Sequence, residues 1–111
     1  MNKSIIGKTF KVKIDRPMGS YHPEKKNFYY PVNYGYIPNI IGGDGEEQDV
    51  YVLGVDKPLK EFTGKIIAII HRLDDVEDKW VMVPNNMKLT KDEILEQVNF
   101  QEKFFKSTIK M

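Results

Sequence analysis

Apolar Phe10, Val12 and Ile14 alternate with Lys11, Lys13 and Asp15, the period of a strand with one wet face. Pro17 and Gly19 end that run. Residues 18–29 are polar, with His22-Pro23 and Lys25-Lys26, and read as a loop. Tyr29 to Ile37 is aromatic and extended, bracketed by Pro31 and Pro38, and Gly42, Gly43 and Gly45 then mark a turn-rich loop. β-Branched residues concentrate in Val50–Val55 and Lys65–Leu73, which read as strands, as does the shorter Trp80–Val83. The segment between the last two strands then caps a hairpin.

The period changes towards the end of the chain. Thr90 and Glu93 are spaced as a capping box, each side chain meeting a free amide at a helix start. Ile94, Leu95, Val98 and Phe105 fall on one face at helical spacing. Phe100 and Phe104 lie one turn apart on another side, suited to wrapping the core or to a subunit contact. The pattern predicts one domain over residues 1–111. Its class is mainly β (α+β): short antiparallel strands closing into a small five-stranded β-barrel, followed by a C-terminal α-helix. A length of 111 residues suits one domain with one modest core.

Composition narrows the partners. Seventeen basic residues against sixteen acidic ones leave a net charge of +1, which argues against a generic basic nucleic-acid binder. There is no cysteine, hence no disulfide, thiolate metal site or cysteine nucleophile. The longest apolar run, Ile66–Ile70, is too short to cross a bilayer. Met1 to Lys13 has no apolar run of signal-peptide length. The expectation is a cytoplasmic protein with no membrane partner and no nucleic-acid partner.

The acids are unevenly spread. Asp44, Glu46, Glu47 and Asp49 form one cluster; Asp74, Asp75, Glu77 and Asp78 form another. Short acidic runs usually face water, and two solvated turns are the plain reading. Three details favour a metal site. Crowded carboxylates repel unless a cation neutralises them, and Mg²⁺ takes a few such oxygens while keeping waters. The clusters, with Asp15, fall at strand ends, where a barrel rim can assemble a site from distant sequence. Lys79, Tyr30, Tyr34 and Tyr36 stand nearby in sequence, donors for an anion that a metal would carry, such as phosphate. The calcium-loop pattern fails, because Asp49 and Val55 stand where glycine and glutamate are required. Taken alone, Tyr36 reads as a core aromatic and Lys79 as a surface lysine. Arg16 and Arg72, the only arginines, read as structural or rim residues.

Tyr30-Pro31-Val32-Asn33-Tyr34-Gly35-Tyr36-Ile37, followed by Asp44-Gly45-Glu46-Glu47-Gln48-Asp49-Val50, resembles the soluble family I inorganic pyrophosphatases. Ile14-Asp15-Arg16-Pro17 is similar to that family's early strand, and Asp74 to Pro84 to its second acid hairpin. The resemblance covers most of the chain. It implies an OB-like barrel and Mg²⁺-dependent hydrolysis of pyrophosphate to two phosphates. Asp44, Asp49 and Asp78, with Asp74 or Asp75, match the metal-binding acids. Glu46 matches the acid that contacts the attacking water, and Asp15 an early active-site glutamate. Tyr30 and Tyr34 match pocket tyrosines, and Lys79 a phosphate-binding lysine. Family members are longer. An early hairpin bearing lysine, glutamate and arginine has only His22, Lys25 and Lys26 in its place, and a late tyrosine-lysine pair has Phe105-Lys106.

The mechanism expected from these residues uses two or more Mg²⁺ ions, with Mn²⁺ an alternative. They sit among Asp44, Asp49, Asp74 or Asp75, and Asp78, and activate a water. Glu46, Asp49 and Asp15 form the catalytic set. Lys79, Lys25, Lys26 and Lys106 offset phosphate charge, and Tyr30 and Tyr34 donate hydrogen bonds. Two rival readings differ in class. One is a metal-dependent hydrolase of a nucleotide or polyphosphate. The other is a non-catalytic OB-like module in which the tyrosines stack bases, a role that the acid clusters oppose. A homo-oligomer is compatible with all three.

Overall fold

The two faces of the central strands serve two different cores. The computed structural model describes residues 5–111. Its strands are β1 (Thr9–Arg16), β2 (Asn33–Ile41), β3 (Glu47–Val52), β4 (Glu61–Arg72), β5 (Asp78–Val83) and β6 (Ser107–Lys110), with helix α1 (Lys91–Glu102) between the last two. Val12, Ile37, Val50, Val52, Ile66 and Met82, drawn from five strands, meet as the barrel interior. Tyr51, Leu53, Val81 and Val83, of opposite parity, pack with Ile94 and Val98 of α1, joined by Ala68 and Ile70, which β4 turns to this face after a register shift between Ile66 and Ala68. The strands thus read as apolar on both faces, as expected where a sheet is covered twice.

The sheet order is β1-β2-β3-β5-β4-β6, and an additional β1–β4 pairing closes the first five strands into a barrel, as expected. β4 pairs with β5 along one edge and is long enough to serve two partners along the other. Residues Glu61–Lys65 pair with β1, and Ile69–Arg72 pair with β6. The short β6 was not foreseen, because four residues after a helix carry no clear alternation. One pairing departs from the antiparallel expectation: β3 and β5 run parallel, Val50 opposite Trp80 and Val52 opposite Met82. The β4–β5 hairpin lays β5 beside β3 in the same direction. β4 begins four residues before the expected Lys65. β3 runs from Glu47 to Val52 rather than to Val55, ending just before Gly54, whose φ is +82°.

Helix α1 starts as the pattern predicts, with both bonds of the Thr90–Glu93 capping box formed. It stops at Glu102, so Phe105 lies beyond it. Its buried side chains are Ile94, Val98 and Glu102, spaced by four. Leu95 is 42% exposed, off the face it was expected to share. Phe100 packs against Phe28, Tyr30 and Tyr51, whereas Phe104 is 64% exposed.

Two residues of the tyrosine-rich segment hold the barrel's closure. Asn33 is fully buried, and its Oδ1 accepts from the Met18 and Leu59 amides while its Nδ2 donates to the Lys57 carbonyl. It ties two loops to the start of β2. Gly35 faces β1 so closely that a Cβ would run into the Lys13 carbonyl. The β1–β2 register shifts between Ile14 and Arg16, a bulge of the kind that re-aims a side chain. Among the described residues no helix is long and apolar enough to cross a membrane.

Candidate functional site

The helix-facing parity continues past the apolar residues to the strand ends, where it becomes polar. Asp49 precedes Tyr51 on β3 and Leu53 just beyond it. Arg72 follows Ala68 and Ile70 on β4. Glu77 and Lys79 precede Val81 and Val83 at the start of β5. These side chains line a cavity of about 500 Å³, with Asp15 and Tyr34 from the neighbouring strands. Lys25 comes from the loop before β2, and Phe28, Phe104 and Phe105 give the cavity an aromatic wall.

Lys79 is the centre of the polar part. Only 3% of its side chain is exposed, and Nζ donates to Asp49 Oδ2 at 2.6 Å and to Glu77 Oε1 at 2.7 Å. Burying a lysine this deeply is tolerable only when it is paired. Arg72 stands behind. Its Nε and Nη2 donate to Glu102 Oε1 at 3.1 Å and Oε2 at 2.7 Å, and Nη1 reaches Glu77 Oε1 at 3.2 Å and Asp75 Oδ2 at 3.3 Å. The Phe105 ring lies under the guanidinium, 3.7 Å from its centre. Tyr51 donates to Glu102 Oε2 at 2.6 Å, Gln101 donates to the Tyr51 oxygen at 2.7 Å, and Tyr30 donates to Gln101 Oε1 at 3.3 Å. The chain of bonds runs from the core to the cavity wall.

Burial sets the electrostatics. Desolvation raises the Glu77 carboxyl, and a hydrogen bond shared with Asp44 raises it further, while Lys79 pulls it down. The same shared bond holds Asp44 below its ordinary value. Desolvation also raises Asp15, against the lowering effect of Arg16. Tyr34 is pushed well above the ordinary phenol range by burial and by the Asp49 charge, so its hydroxyl stays a donor. Burial works against the Arg72 charge, but the Glu102 bonds outweigh it and raise its pKa.

The two acid loops meet through a glycine. A Cβ on Gly43 would collide with the Val76 carbonyl, so only glycine lets the first loop close on the second and set Asp44 beside Glu77.

Of the residues singled out from sequence, Asp15, Asp49, Tyr30, Tyr34, Lys79 and Lys25 line the cavity. Lys79 is buried there rather than at the surface, and Arg16 and Arg72 line the cavity too. Others lie elsewhere. Glu46 is exposed, and its amide donates to Asp44 Oδ1 at 3.0 Å. Lys26 and Lys106 are exposed and outside the cavity. Asp74 accepts from the Lys106 amide at 3.1 Å, Asp75 pairs with Arg72, and Asp78 Oδ1 is 2.7 Å from His71 Nδ1. Asp44, Asp49, Asp74, Asp75 and Asp78 therefore do not gather at one point. Among the described residues no three Asp, Glu or His side chains converge as an ion cage. The reason is parity: Asp78 points opposite to Lys79, and Asp74 and Asp75 are spent on the turn. The sequence pattern leaves Glu77 as one of a cluster, reads Arg72 as structural or rim and gives Glu102 no role, although alternation from Val81 back to Glu77 and from Ala68 on to Arg72 marks the first two.

A family model described as Inorganic pyrophosphatase matches residues 5–110. Inorganic pyrophosphatase of Neisseria meningitidis serogroup A is 30% identical over 92 residues, 76% of this chain and 51% of that protein. The Haemophilus influenzae protein of the same name is 30% identical over 76% of this chain and 52% of its own length. The chain thus spans about half the length of these relatives. Among solved structures, the inorganic pyrophosphatase of Ehrlichia chaffeensis superposes with a TM-score of 0.71 at 19% identity, over 95% of this chain and 86% of that one. That of Thermus thermophilus gives 0.63 at 17%, over 100% and 84%. These two likenesses establish the fold.

Proposed function

Since the chain belongs to the inorganic pyrophosphatase family, we propose that its cavity binds pyrophosphate and hydrolyses the phosphoanhydride bond with the help of Mg²⁺. The observation that carries this reading is the set Asp49, Glu77, Lys79, Arg72 and Tyr34 converging on one cavity. Carboxylates, cations and a phenol held un-ionised are what a phosphate-bearing substrate and a hard cation need together.

The residues fit Mg²⁺ in a limited way. Mg²⁺ is commonly held by one or two carboxylates plus substrate phosphates and waters, without an all-protein cage. Glu77 shares a hydrogen bond with Asp44 and a lysine with Asp49, and a carboxylate raised by a neighbouring acid is a place where a cation is favoured. Asp49 and Glu77, both on the cavity wall, would hold it together with substrate oxygens and waters. When bound, the metal lowers the pKa of a water and offsets charge on the phosphates.

The chain's own residues do the rest. Lys79 and Arg72 face the phosphate oxygens with fixed positive charge, which is worth most where charge develops on the leaving group. Tyr34 and Tyr30 donate from hydroxyls that burial keeps protonated. Asp15, on the cavity wall and raised by desolvation, is a carboxylate suited to take a proton from the attacking water.

A second reading is favoured by the aromatic wall. A 500 Å³ cavity bordered by Phe28 and by the 64% exposed Phe104 has room beside the polar part for a nucleoside. Both readings are tested by phosphate release from pyrophosphate, tripolyphosphate and ADP, with Mg²⁺ and with EDTA, alongside Asp49→Asn. Mg²⁺-dependent release from pyrophosphate that Asp49→Asn abolishes supports the first. Release from ADP or tripolyphosphate alone supports the second, and no release from folded protein sinks both.

A further inference from the structure

The geometry points to His22 as a substrate-facing hydrogen-bond donor: a neutral imidazole whose own loop fixes the proton on Nε2 and leaves it for a phosphate oxygen in the cavity. The inference rests on the phosphoanhydride reading of this site and deepens it, adding a residue that the strand ends do not supply.

The loop over residues 21–29 turns this residue inward. Tyr21 and Tyr29 form an isolated antiparallel bridge, and the His22 amide donates to the Phe28 carbonyl at 2.9 Å. Residues opposed across such a pairing share a face, and their chain neighbours take the other. Tyr21 and Tyr29 are accordingly exposed, with their rings 5.3 Å apart. His22 and Phe28 are half-buried, alone among residues 21–29, and both line the cavity. Phe28 anchors this inner face against the rings of Tyr30, Phe100 and Phe104.

Hydrogen bonding sets the tautomer. His22 Nδ1 accepts from the Glu24 and Lys25 amides, each at 3.1 Å. A ring nitrogen that accepts carries no proton, and the proton of the neutral imidazole is then on the other one. Nε2 is therefore a donor. Nδ1 is the His22 ring atom bonded within the protein among the described residues, so the Nε2 edge is the one left for a ligand.

The chemistry of this donor differs from that of its neighbour. Lys25 also lines the cavity, but it brings a point charge on a flexible, exposed stem. His22 brings no charge, and its ring is oriented by two backbone amides before a ligand arrives. A fully ionised phosphate offers acceptors only, so a directed N–H is matched to it. A donor already fixed by its own turn binds with little further ordering cost, which is what preorganisation contributes to affinity.

The test joins imidazole nitrogen NMR of the full chain to steady-state kinetics. The chain has two histidines, and His71→Gln leaves only the His22 signals. At the pH of the activity assay these should be the nitrogen pair of the Nε2-protonated tautomer, and inorganic phosphate added with Mg²⁺ should move the Nε2 resonance. An Nδ1-protonated ring overturns the inference. So does an Nε2 resonance that stays still while the Lys79 ammonium resonance moves, and the phosphoanhydride reading then stands. His22→Asn sets a side-chain oxygen near the place of Nδ1 and removes Nε2. It should lower kcat/KM for pyrophosphate by at least about fivefold, as loss of a hydrogen bond to a charged group does, with the unfolding midpoint unchanged. The factor should be equal at low and high salt, because the lost donor is uncharged. Wild-type kcat/KM in His22→Asn confines His22 to its turn and overturns the inference, and so does a loss that disappears at high salt. Absence of phosphate release by the wild-type chain removes the phosphoanhydride reading itself.

Discussion

Glu102 accepts from Arg72 Nη2 at 2.7 Å and from Arg72 Nε at 3.1 Å, a two-bond fork tying the last residue of α1 to the last residue of β4. Both side chains are 4% exposed. Removing one partner of such a pair leaves the other charge buried alone. Glu102→Ala should therefore destabilise the fold by about 3–5 kcal/mol, read as a lower urea midpoint. Glu102→Gln, which keeps one acceptor, should cost distinctly less. Equal losses in the two variants would mean that the pairing contributes little.

Tyr51 gives a pH dependence with a definite sign. Burial and the Glu102 charge raise its pKa well above 10.0 in the folded protein. Its contribution to stability is complete below pH 10 and is lost as pH rises through the folded value. Wild-type stability should fall on the alkaline side, and Tyr51→Phe should fall less steeply there while starting lower by about 1.5–3 kcal/mol, the worth of a hydrogen bond to a charged group. Denaturant titrations at several alkaline pH values measure both. Parallel slopes would assign the alkaline loss to other groups.

The second acid loop divides into residues on and off the cavity. Glu77→Gln removes the carboxylate that holds Lys79 and faces Arg72, and should lower pyrophosphate turnover by at least about tenfold, some 1.4 kcal/mol at the transition state. Asp78→Asn, on the His71 side, and Asp74→Asn, on the Lys106 amide, should stay within about threefold. The reverse ranking in a steady-state assay would restore Asp74 and Asp78 as the working acids.

Gly35 admits no side chain. A Cβ there meets the Lys13 carbonyl and Ile14 Cα, both backbone atoms that a rotamer change does not relieve. Gly35→Ala should cost at least about 1–3 kcal/mol by overpacking and loosen the β1–β2 pairing beside Asp15. Thermal unfolding reads the cost. An unchanged midpoint would show that β1 can step aside.

The barrel and the helix start were legible because they rest on local rules. Phe10 to Ile14 alternate, Thr90 and Glu93 are three apart, and both patterns survive in the structure. The parallel β3–β5 contact was not legible, because direction depends on how a hairpin is laid against a third strand. In the site, Asp49 and Lys79 were readable from composition. The resemblance points to Asp78, whereas Glu77 is the acid on the cavity wall; a shift of one residue turns a side chain to the opposite face. Glu102 lay in plain view at the end of the i, i+4, i+8 series begun by Ile94 and Val98. A charge in an apolar series reads as an exception until Arg72 is seen opposite it.

With no room between Gly43 and the Val76 carbonyl, the two acid loops already stand at contact distance. A side chain at position 43 would wedge them apart and carry Asp44 away from Glu77. A glycine outside the cavity thereby sets the spacing of two carboxylates at its edge.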